Sequence, residues 1–172
     1  MAHSLEYSIS HSKKLVLLQH RVERNNEGHL IFRTYAQRDY LMVKCPPHRI
    51  ALTRLLFSSH SLAIERLQWA ERRRQPIHHH LRLCQFCHQG VENEVHAVLT
   101  CTAHEPIVIA RAHFLSQLPL LGTAIPPHPP PGHSDLDFFR ALLGWPAVLP
   151  WLAQLVHTVL SEYDQYPLYI PQ

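Results

Sequence analysis

The chain has 172 residues, of which 46% are hydrophobic and 17% charged; this suits one domain of ordinary size and excludes a complete polymerase or other multi-domain machine. Sixteen Lys and Arg against thirteen Asp and Glu give a formal net charge of +3, well short of what a dedicated phosphate-tracking protein carries. Sixteen histidines are the unusual feature, and they would make the surface more basic on mild acidification.

Residues 1–28 are polar and are expected to form a poorly ordered arm. Their apolar run, Leu15 to Leu18, has no charged leader and no long hydrophobic stretch, so no signal peptide is expected. A short helix is predicted over 29–40, with Leu30, Ile31, Tyr35 and Tyr40 facing inward, ended by Pro46-Pro47. A second helix starts with Pro47 in its first turn. Ile50, Leu52, Leu55, Leu56 and Phe57 give it a broad apolar face, with Arg49 and Arg54 towards solvent. Ser58 to Ser61 breaks the pattern, and Leu62 to Trp69 is compatible with helix or strand.

Arg72-Arg73-Arg74-Gln75-Pro76 reads as a charged turn leading into a cysteine cluster. A further helix is predicted over 105–118, presenting Ile107, Ile109, Ala110, Phe114 and Leu118. Residues 119–131 hold six prolines in thirteen positions and read as an extended linker, completed by Gly132 and His133. Ser134 and Asp137 then have the spacing of a capping box. The last helix runs from about Pro150 to Tyr163, with Leu152, Leu155, Val156, Val159 and Leu160 as one buried stripe. The apolar stretch from Ala141 to Val156 is interrupted by Gly144, Pro146 and Pro150 and is too short to span a bilayer. No internal repeat is present.

The chemistry concentrates in one place. Cys84, Cys87, His96 and Cys101 follow the spacing C-x2-C-x8-H-x4-C. A two-residue gap lets both sulfurs of a tight turn face one ion, and three thiolates with one neutral imidazole are what structural zinc prefers. Four filled positions leave no open site for water, which argues against catalysis. Arg82 is a nearby cation able to offset the excess negative charge. His80, His88 and His104 compete with His96 as the fourth ligand, and His104 is the serious substitute. A secreted disulfide scaffold would be smaller and denser in cysteine, so a reducing, intracellular compartment is expected, nucleus or cytoplasm unresolved. Cys45 stands alone.

Other features carry less. Arg72, Arg73, Arg74 and Arg82 could contact phosphates, against the plainer reading of a solvated loop. His78-His79-His80 cannot easily face a single ion. Trp69, Trp145 and Trp151 read as packing residues in preference to base-stacking platforms. Ser58, Ser59 and His60 lie together without the surroundings of an activated nucleophile.

The run Phe32-Arg33-Thr34-Tyr35, then His48 to Leu55, Ser59 to Arg66 and Trp69, followed by Cys-x2-Cys, Glu92-x-Glu94-x-His96 and Cys101, resembles the C-terminal zinc-binding region of non-LTR (LINE-type) retrotransposon reverse transcriptases. The resemblance covers about residues 29–118. It implies Cys84, Cys87, His96 and Cys101 as ligands of one structural Zn2+, in a helical region associated with nucleic acid and reverse transcription. Thr102 stands where that family commonly has proline, and Leu67-Gln68 where it has Gly-Arg. Nothing supplies a paired-aspartate motif, so no polymerase activity is implied.

The expectation is therefore a mainly α protein: a polar arm (1–28), a small helical zinc-knuckle domain (29–118), a proline-rich linker (119–133) and a tethered C-terminal helical segment (134–172). It would be a non-enzymatic zinc-binding module associated with RNA or DNA, working alone or beside a retroelement polymerase encoded elsewhere, with no membrane partner. The alternative is a zinc-stabilised structural or protein-interaction remnant that does not touch nucleic acid.

Overall fold

The computed structural model describes the chain apart from residues 1, 13, 20–22, 25–29, 32–37, 72–73, 123–124 and 172. It is mainly helical. Helix α1 spans Ala2–His11 within the segment expected to be an arm. Glu23–Arg24 (β1) pairs antiparallel with Leu30–Ile31 (β2). The helix expected over 29–40 is thus not formed at its start. Each strand is two residues long, and an apolar step as short as Leu30-Ile31 fits an extended chain as readily as a helix. Tyr35 of that expected helix lies outside the described residues, whereas Tyr40 is buried in a 3-10 turn at Asp39–Met42.

Helix α2 (Pro46–Leu56) begins with prolines in its first turn, where a missing N–H costs nothing. It buries Ala51, Leu52, Leu55 and Leu56. Ile50 and Phe57, expected on the same face, point outward at 57% and 47% exposure. At about 100° per residue, position 50 lies about 200° around the axis from Leu52. Arg49 is half-buried and donates to the Val43 carbonyl at 2.9 Å. The ambiguous segment after Ser61 resolves into a single helical turn, α3 (Ala63–Arg66).

Helix α4 (Glu105–Gln117) continues as a 3-10 turn over Leu118–Leu121. Ile107, Phe114 and Leu118 are buried as expected, but Ile109 is 61% exposed and Arg111 turns inward. Arg111 lies one helical turn beyond Ile107 on the stripe that continues to Phe114, so backbone phase overrides residue type here. The proline-rich stretch is not wholly detached, because Ile125 joins the core.

Helix α5 (Asp135–Leu143) opens with the expected capping box: Asp137 N donates to Ser134 Oγ at 3.1 Å and Ser134 N to Asp137 Oδ2 at 3.3 Å. Helix α6 (Leu149–Asp164) buries the whole expected stripe and adds Leu149, Ala153 and Tyr163. It lies against both α2 and α4. Its stripe forms one apolar cluster with Leu52, Leu55 and Leu56 of α2, Ile107 and Phe114 of α4, and Phe138, Phe139, Leu142 and Leu143 of α5. The C-terminal helices therefore share the core of the middle of the chain. The same cluster includes Cys84, Ala97, Val98 and Cys101. Among the described residues, no helix is long and apolar enough to cross a membrane.

Candidate metal centre

The knuckle is built by main-chain bonds before any ion is considered. Leu83 and Val91 form an isolated antiparallel bridge. Around it Cys84 N donates to Gly90 O at 2.8 Å, Glu92 N to Arg82 O at 2.8 Å, and His88 N to Cys84 O at 2.9 Å. His88 takes a positive φ of 56°, the left-handed kink that turns the chain back after Cys87. Gly90 is required by close approach: a Cβ there would meet His96 Cε1 and Nδ1 at 2.8 Å.

The second pair of ligands comes from one unusual turn. The Asn93 side chain caps the His96 N–H at 2.8 Å. His96–Thr100 then winds as a π-helical turn, closed by Cys101 N to His96 O at 2.8 Å. An α-turn would leave residue i+5 about 140° around the axis from residue i. The wider turn instead brings Cys101 round towards the side of His96, which explains how a four-residue gap can serve one ion.

The four ligand atoms of Cys84, Cys87, His96 and Cys101 all lie within 4.8 Å of one another. Cys84 Sγ and Cys101 Sγ are 3.7 Å apart, and Cys87 Sγ is 3.4 Å from His96 Nε2. A tetrahedron with metal–sulfur bonds of about 2.3 Å and metal–nitrogen bonds of about 2.0 Å has edges of about 3.8 Å and 3.5 Å. The cysteines are free, and 3.7 Å is far beyond a disulfide bond. The cluster can hold one metal ion. His96, not His104, belongs to it: His104 stacks on Phe86 at 4.2 Å and hydrogen-bonds Glu162 at 2.9 Å. His88 stacks on Tyr169 and His80 on His78, and neither belongs to the cluster.

Supporting groups orient the ligands. Thr100 Oγ1 lies 3.1 Å from His96 Nδ1, which leaves Nε2 to face the sulfurs. Tyr163 Oη, 3.2 Å from Cys84 Sγ, arrives from α6. Hydrogen bonds from Cys101, and behind it from His96 and Tyr163, hold the Cys84 thiol well below its usual range against the opposing effect of burial. The hydrogen bond to Cys84, with burial behind it, pushes the Cys101 thiol up.

The alternating glutamates before His96 tie the knuckle to the rest of the chain. The buried Glu92 carboxylate accepts Ala63 N at 2.7 Å on one oxygen and Gln85 N at 2.7 Å on the other. Burial raises its pKa to about 7 against the pull of those two donors. Glu94 meets His60 Nε2 at 3.0 Å and accepts from Ser58 Oγ at 3.3 Å. Ser58 and His60 are thus bound up in holding the Ser58–Ser61 bend to the knuckle. The alternation E-x-E-x-H was visible in the sequence; the partners of its glutamates, 29 and 34 residues away, were not.

The arginines singled out for phosphates are placed differently. Arg82 gives Nε to Ile77 O at 2.9 Å and Nη1 to Ile64 O at 2.8 Å. Arg74 pairs with Glu71 at 3.1 Å and reaches the carbonyls of Leu67 and Arg66. Arg72 and Arg73 lie outside the described residues. Trp69 is exposed beneath Lys14 Nζ, 4.7 Å from the ring centroid, while Trp145 and Trp151 pack against the core. Cys45 is half-buried at the start of α2, apart from the cluster. The chain matches no family model, no curated protein and no solved structure.

Proposed function

We propose that the chain is a non-catalytic module whose knuckle is closed by one structural Zn2+ on Cys84, Cys87, His96 and Cys101. The observation that carries this reading is the convergence of three sulfurs and one imidazole nitrogen within 4.8 Å. Zinc is favoured over other divalent ions because a set of three thiolates and one imidazole suits it best. With all four positions supplied by the protein, no coordination site remains for an activated water, and the module has no enzymatic activity of its own.

Its setting is nucleic-acid-associated and intracellular. The support is the resemblance to the zinc-binding region of LINE-type reverse transcriptases, carried by Cys84, Cys87, Glu92, Glu94, His96 and Cys101. On that reading the chain associates with RNA or DNA, alone or beside a retroelement polymerase encoded elsewhere. A second reading, a protein-interaction or purely structural module, is favoured by one observation: Arg74 and Arg82 spend their donors on backbone carbonyls and on Glu71, not on the solvent side.

Salt-dependent binding of the zinc-loaded chain to RNA and single-stranded DNA separates the two. Affinity that falls steeply with salt supports nucleic-acid association, since each phosphate contact releases counterions. No binding at low salt, with zinc present, overturns it in favour of the second reading.

A further inference from the structure

Three thiolates around a divalent ion leave one negative charge in excess. In this fold that charge falls inside the protein, because Cys84 and Cys101 are buried in the same cluster as Ala97, Val98, Ile107 and Tyr163. A buried charge without a counter-charge is costly. Arg82, the cation nearest in sequence, is engaged with the carbonyls of Ile77 and Ile64.

Another cation lies inside. Arg111 of α4 is only 7% exposed. Its Nε donates to Val98 O at 2.7 Å, a carbonyl in the turn that carries His96 and Cys101 at its two ends. Its Nη2 is buried with no hydrogen-bond partner among the described residues, and none of the ion pairs among them includes it. Burial pushes the guanidinium towards the neutral form, and Cys101 and Tyr163 favour the charged one. A guanidinium keeps its proton in proteins, so a positive charge is buried against the turn whose ends are His96 and Cys101.

Tyr163 approaches the same cluster from α6. It is 3% exposed, with its hydroxyl 3.2 Å from Cys84 Sγ and its carbonyl accepting Gln85 Nε2 at 2.9 Å. A metal-bound thiolate has no proton to give, so the hydroxyl is the donor in that contact.

We propose that Arg111 and Tyr163 complete the metal centre: the buried guanidinium offsets the excess negative charge of the loaded Cys3His site, and the tyrosine hydroxyl donates to the Cys84 sulfur. The inference rests on the metal reading above. It makes ion retention a property of α4 and α6 as well as of the knuckle. Both are positioning residues, since neither touches the ion.

The test is the zinc affinity of the full chain, measured by competition with a chelator, for the wild type, Arg111→Met, Arg111→Lys and Tyr163→Phe. Arg111→Met is expected to weaken zinc binding by about 10–100-fold, the usual effect of losing an outer-shell partner. Arg111→Lys, which keeps the charge, recovers most of that loss. Tyr163→Phe weakens binding by about tenfold and shifts the sulfur-to-metal charge-transfer band of the Co2+-loaded chain. Equal affinities for the Met and Lys variants overturn the charge role, because a merely structural arginine would be missed alike by both. Should Arg111→Met fail to fold, Tyr163→Phe decides: an unchanged affinity and an unchanged cobalt spectrum overturn the proposal. Zinc binding by the wild type with insensitive variants overturns this inference alone, whereas a wild type that takes up no zinc overturns the metal reading with it.

Discussion

Between α2, α4 and α6 the chain is closed by apolar contact: Leu52, Leu55, Ile107, Phe114, Leu152, Val156 and Val159 fill the space. Between residues 82 and 101 the balance is reversed. Alongside Ala97 and Val98, the buried side chains there are Cys84, Glu92, Glu94 and Cys101, and the turns are spanned by polar bonds. Apolar packing is gained as soon as surfaces meet and needs no ligand, each buried Leu or Val contributing about 1.5–3 kcal/mol. Buried thiols and carboxylates gain little from burial itself, so on the metal reading the contribution of this cluster to folding comes with the ion. On the proposed reading, one fold contains a part that is stable through area and a part that is stable through a bound ion.

Substitutions should separate the two parts. The largest effect is expected from Cys84→Ser or Cys101→Ser. Structural zinc sites carry about 10–16 kcal/mol of apparent binding energy, so either change should abolish stoichiometric zinc and disorder the middle of the chain, read by native mass spectrometry and by amide exchange over 82–101. Cys45→Ser, outside the cluster, should leave both unchanged. Equal melting temperatures for the three variants would break the comparison.

Leu152→Ala comes next. Leu152 is fully buried in α6, and the cavity should cost about 2–5 kcal/mol in denaturant unfolding. Zinc stoichiometry should stay at the wild-type value, since the loss falls on the apolar part. A smaller effect is expected from Glu92→Gln. The carboxylate accepts one N–H on each oxygen, and an amide can accept only one of them, so a buried donor would face another donor at a cost of about 1–3 kcal/mol. That loss should appear as weaker zinc retention in chelator competition, because Glu92 holds the Cys84–Cys87 turn against α3. Smallest is Ser134→Ala, which removes the cap of α5. About 1 kcal/mol should be lost, with zinc affinity unchanged; a change in affinity would mean the two parts are more tightly joined than their chemistry suggests.

Much of this division was legible in the residues themselves. C-x2-C-x8-H-x4-C named the four groups that converge, because ligand spacing in a tight turn is a local property. The α6 stripe and the Ser134–Asp137 cap were readable for the same reason. What could not be read depends on phase and on distant partners. Ile50 and Ile109 look like core residues but fall on outward faces, and Arg111 looks like a surface residue but shares the stripe of Ile107 and Phe114. No local pattern announces that Tyr163 meets Cys84 across 79 residues, or that His96–Thr100 winds as a π-turn. Leu30 and Ile31, read as helical, pair as a strand because apolar runs this short have no period of their own.

The most direct test is amide exchange on the purified chain with its metal counted, before and after removal by a chelator. The expected result is one zinc per chain, with protection over 82–101 lost on chelation while the buried amides of α6 stay protected. A metal-free chain in which 82–101 is as protected as α6 would contradict it, for then thiols and carboxylates alone would suffice to hold the knuckle shut.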